Sequence, residues 1–176
     1  AADGYTITGI DVDTKSAMYT QAELINHHNA QVRFALADLA NANDLNRIVE
    51  SLAGRPPIDV LIHNAGINVT GPFIMSNLKQ LLTVLDVNLM APMLLTSELL
   101  RQGRFAAGAA IGLMSSLSHF VGYPGATVYA ASKDGLSAYA SSLSVALAGR
   151  GHHVLTIYPG PTRTEHARRH SPDNSR

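Results

Sequence analysis

The sequence predicts a doubly wound α/β fold, a parallel sheet flanked by helices, and three observations point to it. Short apolar runs rich in Val and Ile alternate with longer stretches of helical spacing, the pattern of strand–helix–strand crossovers. Most of the apolar runs stop at polar or turn-forming residues: Asp11, Asp38, His63-Asn64-Ala65-Gly66, Ser115-Ser116 and Pro159-Gly160. In such folds ligands bind at the carboxyl ends of the strands. The 176 residues fit one domain, and no linker, repeat or low-complexity segment divides them.

Tyr5 to Ile10 reads as a strand ending at Asp11, and Lys15 to Asn29 as a helix. Gln31 to Leu36 is a second strand, ending near Asp38. Asn43 to Ala53 has helical spacing through Leu45, Ile48, Val49 and Leu52, and Gly54 with Pro56-Pro57 stops it. Ile58 to Ile62 is a short continuous apolar strand, of the kind buried on both faces. Asn77 to Gln102 is helical, with Pro92 expected to mark a junction between two helices. Ala109 to Met114 is a fourth strand, Thr127 to Ala148 a helix rich in Ala, Ser and Leu, and Val154 to Tyr158 a fifth strand closed by Pro159-Gly160.

Composition narrows the function. Lys and Arg number 13 and Asp and Glu 13, with 46% hydrophobic and 15% charged residues, so the chain is not of the disordered class. The zero charge balance argues against nucleic acid or an acidic membrane as partner. No apolar run in the sequence approaches the ~18–20 residues of a membrane span. Absence of cysteine excludes a disulfide scaffold, a zinc–thiolate site and thiol catalysis, and suits a cytoplasmic protein. His166 and His170 are four apart but lack a third ligand, so they read as a solvated tail. His27-His28 and His152-His153 read as loop residues. Gly66 to Gly71 has phosphate-loop spacing, but Pro72-Phe73 replaces the needed Lys-Ser/Thr.

The most informative stretch is Tyr129-Ala130-Ala131-Ser132-Lys133. On a helix, residues four apart share a face. A phenol alone is a poor acid–base group at neutral pH because its pKa is about 10. A lysine cation ~4–5 Å away, at an effective dielectric near 20, favours the phenolate by ~3–4 kcal/mol. That corresponds to about 2–3 pKa units and brings a proton donor or acceptor toward neutrality. Taken alone the pair could be a surface coincidence. It is accompanied, however, by Ser116 thirteen residues upstream, His63-Asn64-Ala65-Gly66 after a strand, Asn88 within Asp86-Val87-Asn88-Leu89, and Pro159-Gly160-Pro161-Thr162-Arg163-Thr164 after the fifth strand.

In order and spacing this set closely resembles the short-chain dehydrogenase/reductase family, from about Tyr5 to Thr164. The resemblance implies a Rossmann-type sheet and these roles. Tyr129 exchanges the proton with the substrate oxygen, and Lys133 lowers the tyrosine pKa and hydrogen-bonds the nicotinamide ribose. Ser116 orients and polarises the carbonyl or alcohol, with Ser115 its structural neighbour. Asn88 holds a water that continues a proton relay. Asn64, Ala65, Gly66, Pro159, Gly160, Thr162 and Thr164, together with Tyr129 and Lys133, are implied to lie against the cofactor. His63 departs from the family's Asn-Asn-Ala-Gly at its first position, and altered detail rather than lost function is expected there. Asp38 resembles the family's adenine-contacting Asp, and could equally be a helix cap.

Asp11, at a strand end, is placed to bond the adenine-ribose hydroxyls and to repel a 2′-phosphate. NAD is therefore expected over NADP, although Lys15 opposes this, and Asp11 could instead cap the next helix. The implied substrate is a small-molecule secondary alcohol or ketone. Leu117 to Tyr123 and the segment after Gly160 are expected to line its pocket, with His119, Phe120 and Tyr123 as a partly aromatic wall. Two other readings remain: a non-catalytic fragment kept for binding or assembly, and a sugar-nucleotide epimerase or dehydratase. The family's first strand with its glycine-rich turn, and its last strand, have no counterpart in these residues. A truncated or incompletely represented enzyme, with open edges on two central strands, is expected. A homodimer or homotetramer is expected through the latter part of Asn77–Gln102 and Thr127–Ala148, the second helix being rich in small residues.

Overall fold

The computed structural model describes residues 4–120 and 125–160, without the side chains of residues 119 and 120. Tyr123, Thr162, Thr164, His166 and His170 lie outside the described residues. The chain forms two compact units, residues 1–54 and 55–176.

In the first unit, strand β1 (Ile7–Asp11) pairs in parallel with β2 (Val32–Leu36), connected by helix α1 (Thr14–His28) and followed by α2 (Ala42–Ser51). Helix α1 is capped by Asp13, so capping, the alternative reading of Asp11, does not hold: the Asp13 carboxylate accepts the Lys15 and Ser16 amides. Asn29 ends the helix in the left-handed region, at φ 46°, as its short polar side chain permits. Helix α2 starts on an Asn41 cap and buries Leu45, Ile48 and Val49, the residues whose spacing predicts it. Gly9 lies under the Phe34 ring, where a Cβ would come within 2.4 Å of Cε1.

In the second unit, β3 (Ile58–His63), β4 (Phe105–Met114) and β5 (His153–Ile157) form a parallel sheet in the order β3-β4-β5. Among the described strands β1 pairs only with β2, and β3 only with β4. On one face Ile111 and Leu113 pack with Leu136, Ala140 and Leu147 of helix α5 (Thr127–Leu147). The register sets Ile62, Gly112 and Leu155 side by side on the other face. There Val60, Ile62, Leu155 and Ile157 are 42–58% exposed, so β3 is not buried on both faces as its apolar run suggests. No element of the second unit packs over that side among the described residues.

The expected break at Pro92 takes another form. Helix α3 (Leu78–Leu85) runs into a π-helical turn (Asp86–Met90) and on into α4 (Ala91–Arg101). Pro92 falls directly after the π-helical turn, at the start of α4, and the run continues through it. The result is one continuous run, Leu78–Arg101, of 24 residues and mean hydropathy 1.3. By length and composition it is long and apolar enough to cross a membrane, contrary to the expectation from runs in the sequence. Its inward side is core: Val84, Val87, Ala91, Leu95 and Leu99 are buried, together with the polar Asn88 and Thr96. Short 3-10 turns at Phe73–Met75 and Leu117–Phe120 were not anticipated.

The Gly9 contact makes a stability prediction. Gly9→Ala should cost about 1–3 kcal/mol, since the Phe34 ring must move to admit the methyl group. Denaturant unfolding of Gly9→Ala, Phe34→Ala and the double variant checks it. The double variant should lose less than the sum of the two.

Candidate active site

In the second unit, the turn after β3 and the carboxyl end of β4 meet the start of α5. Tyr129 lies in the first turn of that helix and Lys133 one turn later. Lys133 is 4% exposed, and its Nζ donates to the Met114 carbonyl at 2.7 Å, where β4 ends. The ammonium lies 5.8 Å from the centroid of the Tyr129 ring. Burial lowers the lysine pKa to about 8, so the group still carries its proton at neutral pH.

Gly66 packs against the same ammonium. A Cβ at this position would lie 3.2 Å from Lys133 Nζ and 3.5 Å from Asn88 Oδ1. A side chain would thus fill the space beside the cation, and only glycine leaves it open. Asn64 and Ala65 precede it, both exposed after β3.

Asn88, fully buried in the π-helical turn, holds this segment. Its Oδ1 accepts the Ile67 amide at 2.8 Å, and its Nδ2 donates to the Ile67 carbonyl at 2.9 Å and to Ser132 Oγ at 3.0 Å. Ser132 in turn donates to the Tyr129 carbonyl at 2.7 Å. Both amide protons of Asn88 are therefore engaged, and one lone pair of Oδ1 remains for a further partner.

Ser116 follows β4, half-buried, and its Oγ accepts the Ser118 amide at 3.1 Å. Because that amide occupies a lone pair, the hydroxyl proton stays available for another acceptor. Pro159 and Gly160 lie beside this loop: the Leu117 amide donates to the Pro159 carbonyl at 3.4 Å, and a Cβ on Gly160 would lie 3.7 Å from Leu117 Cδ1. Ser118 Oγ and Asn68 Oδ1 are buried without a hydrogen-bond partner among the described residues.

Asp11 and Asp38 belong to the first unit. Asp11 Oδ1 accepts the Asp13 amide at 2.9 Å, and Asp38 Oδ1 accepts the Ala40 amide at 2.9 Å. Both carboxylates thus close local turns, and neither caps a helix. Asp44 Oδ2 accepts the Asp38 amide at 2.8 Å, and its other oxygen pairs with Arg47. The Asp44 pKa is lowered, first by the Asp38 amide and then by Arg47.

Several contributors escape sequence reading. Ser132 sits within the Tyr129–Lys133 motif, yet nothing local marks it as the partner of Asn88. The Met114 carbonyl and the Ile67 peptide are backbone groups and leave no signature. His63 is in register with Leu113 and so faces the helices, where its Nε2 pairs with Thr96 Oγ1 of α4 at 2.8 Å. Thr96, fully buried, also hydrogen-bonds Tyr139 of α5. Desolvation lowers the His63 pKa from 6.5 to about 4, so the ring is neutral in the fold.

A neutral histidine that must take up a proton on unfolding makes stability depend on pH. The unfolded chain binds more protons below pH 6.5, so stability should fall as pH drops from 6.5 toward 4. Down to pH 4.5 the loss should be about 1–3 kcal/mol. The hydrogen-bonded carboxylates Asp13, Asp44 and Glu98, whose pKa values are held below the ordinary 3.8 of Asp and 4.5 of Glu, lose their contribution only at lower pH. Urea midpoints measured between pH 7 and 4.5 should decline for the parent chain and flatten in His63→Asn.

The family model for short chain dehydrogenases matches residues 1–175. A ketoacyl reductase, HetN, of Nostoc sp. is 33% identical over 126 residues, which is 70% of this chain and 43% of that protein. The dehydrogenase OXI1 of Cochliobolus heterostrophus is 31% identical over 158 residues, 89% of this chain and 63% of that one. A solved blue fluorescent protein from a metagenomic library, in complex with NADPH, superposes with a TM-score of 0.86 at 28% identity, over 99% of this chain and 70% of that one. The chain spans less than two thirds of the length of these two sequence relatives.

Proposed function

The chain belongs to the short-chain dehydrogenase family, and from that membership we propose that it is an oxidoreductase acting on a small secondary alcohol or ketone with a nicotinamide dinucleotide. The observation that carries the reading is the buried Lys133 ammonium, still protonated at neutral pH, one helical turn from Tyr129 and beside Gly66. The ketoacyl reductase and dehydrogenase relatives support the reaction class.

The open space that Gly66 leaves beside Lys133 fits a ligand group that accepts a hydrogen bond from the ammonium, as the ribose of such a cofactor would. When bound, the dinucleotide supplies hydride transfer at its nicotinamide. Asn64, Ala65, Gly66, Pro159 and Gly160, with Thr162 and Thr164, are the residues proposed to hold it on this unit.

The remaining chemistry is that of side chains. Ser116 donates its free hydroxyl proton to the substrate oxygen and polarises it. Tyr129 delivers a proton to that oxygen in reduction and removes it in oxidation. The Lys133 cation favours the tyrosinate electrostatically and so brings this exchange toward neutral pH. Asn88 keeps the Asn64–Ile67 turn against Lys133, and its spare Oδ1 lone pair can take the water of a proton relay.

On the first unit, Asp11 is proposed to bind the adenine-ribose hydroxyls and Asp38 to contact the adenine. The carboxylate of Asp11 disfavours a 2′-phosphate, which supports NAD. The NADPH in the metagenomic protein's structure supports the phosphorylated cofactor instead. Titration with NADH and NADPH, followed by nicotinamide fluorescence, decides between them. NADH should bind at least ~10-fold more tightly, and Asp11→Asn should narrow the gap. Failure to bind either favours a non-catalytic role. Tyr129→Phe should lower turnover by ~10²–10⁴-fold, far more than it weakens cofactor binding. Turnover that survives this change removes Tyr129 from the mechanism.

We also propose a two-fold dimer through the latter part of Leu78–Arg101 and the outer face of α5. Met90 and Leu94 are exposed there, at 41% and 49%. Of the small residues on α5, Ser132 and Ala140 are buried in their own unit and Gly135 packs on Leu89, whereas Ala131, Ala138, Ser141 and Ser142 face outward with Val145. Sedimentation at micromolar concentration should give a dimer or tetramer, and Leu94→Glu should yield monomer. A monomeric parent chain ends the proposal.

A further inference from the structure

We infer that Ser115 is a positioning residue for the reaction proposed above: its hydroxyl holds the backbone of Lys133, and so sets the spacing between Ser116, just past the end of β4, and Tyr129 on the helix. The inference rests on the oxidoreductase reading for its effect on turnover, and on geometry for the clamp itself.

Three consecutive residues leaving β4 carry three different tasks. The Met114 carbonyl accepts the Lys133 ammonium at 2.7 Å. Ser115 Oγ donates to the Lys133 carbonyl at 2.9 Å. Ser116 keeps its hydroxyl proton available, since its oxygen accepts the Ser118 amide. Lys133 is thus gripped at both ends, side-chain tip and main chain, by adjacent residues of one strand end.

The strand end is itself pinned from the opposite side, because the Ser115 amide donates to the Ile157 carbonyl at 2.8 Å and continues the β4–β5 ladder. Ser115 is 3% exposed, so no solvent competes strongly for its hydroxyl. Ser137 completes the arrangement. Its Oγ lies 2.7 Å from Ser115 Oγ and 3.1 Å from the same Lys133 carbonyl. Two hydroxyl protons serve these three contacts: Ser115 gives its proton to Lys133, and Ser137 gives its own to Ser115 or to Lys133.

This sharing predicts what removal of the Ser115 hydroxyl does. Ser137 remains to satisfy the Lys133 carbonyl, and the space left is one oxygen atom, so the fold survives. What is lost is the tie between strand and helix at the point where Ser116 and Tyr129 must converge on one substrate oxygen. Small misplacements of reacting groups are costly to rate even where binding is intact.

The test uses the full chain with a panel of alcohols and ketones and the cofactor that it binds. Ser115→Ala should lower kcat about tenfold or more, with KM and cofactor Kd changed less than about twofold. Ser115→Thr, which restores a hydroxyl, should recover most of kcat. Should the alanine variant fold poorly, Ser115→Cys keeps the volume with a weak donor and carries the same expectation. A kcat for Ser115→Ala within about twofold of the parent, or a threonine variant no better than alanine, overturns the inference.

A second readout does not depend on turnover. The chain has three lysines, Lys15, Lys79 and Lys133, so 13Cε labelling gives three resonances. At fixed pH, Ser115→Ala should move the Lys133 resonance and leave the other two in place. An unmoved Lys133 resonance overturns the clamp, whether or not the parent chain reduces any ketone. A moved resonance in a chain without turnover supports the clamp and sinks the oxidoreductase reading alone.

Discussion

A lysine ammonium buried in a protein interior must find protein partners to replace its water, and it holds the charge only if those partners are in place. Lys133 meets this constraint through the Met114 carbonyl, which β4 presents at its end because a parallel strand leaves its last carbonyls without a following ladder partner on every side. Much of the second unit's architecture follows from accommodating that one group. The glycine at 66 gives it room, Ser115 grips its backbone, and the first turn of α5 places Tyr129 beside it. Desolvation brings its pKa down to about 8, low enough to show that burial is costly and high enough to leave the cation intact at neutral pH.

The supporting hydrogen bonds are arranged so that few groups around the lysine are left to choose a partner. Asn88 binds both polar groups of the Ile67 peptide and also Ser132, which reaches the Tyr129 carbonyl. A buried amide that spans a loop and a helix in this way is worth more for specificity than for net stability, because each lost bond would strand a buried donor or acceptor. The π-helical turn from Asp86 to Met90 is the local irregularity that carries Asn88. Such turns are rare within α-helices and are often found at functional sites.

His63 shows how the same scaffold tolerates a change of residue type. The imidazole stands where the resembled motif has Asn, and it still hydrogen-bonds, to Thr96, which in turn meets Tyr139. Being neutral in the fold, it adds no buried charge. In the first unit, the acidic residues at the strand ends are also committed locally: Asp11 and Asp38 each accept a backbone amide two residues on, and Asp44 ties down the amide of Asp38.

By itself the sequence determined the kind of elements and their order, because hydrophobic periodicity, capping residues and Gly/Pro punctuation act over a few residues. Leu45, Ile48 and Val49 announce α2, and Ile58 to Ile62 announces β3, within a residue or two of the observed ends. It also determined which side chains to suspect, since Tyr129 and Lys133 share a helix face by spacing alone. Only the tertiary structure decided what these side chains touch. Lys133 is held at its tip by the Met114 carbonyl and Asn88 by a peptide 21 residues away, and neither partner has a side-chain signature to read. The fused helix through Asp86–Met90, the exposed face of β3 and the Asp13 cap in place of Asp11 were likewise decided there. The reason is common to all: main-chain donors and acceptors are the same at every residue, so which of them meet is set by how the elements pack, not by any pattern along the chain.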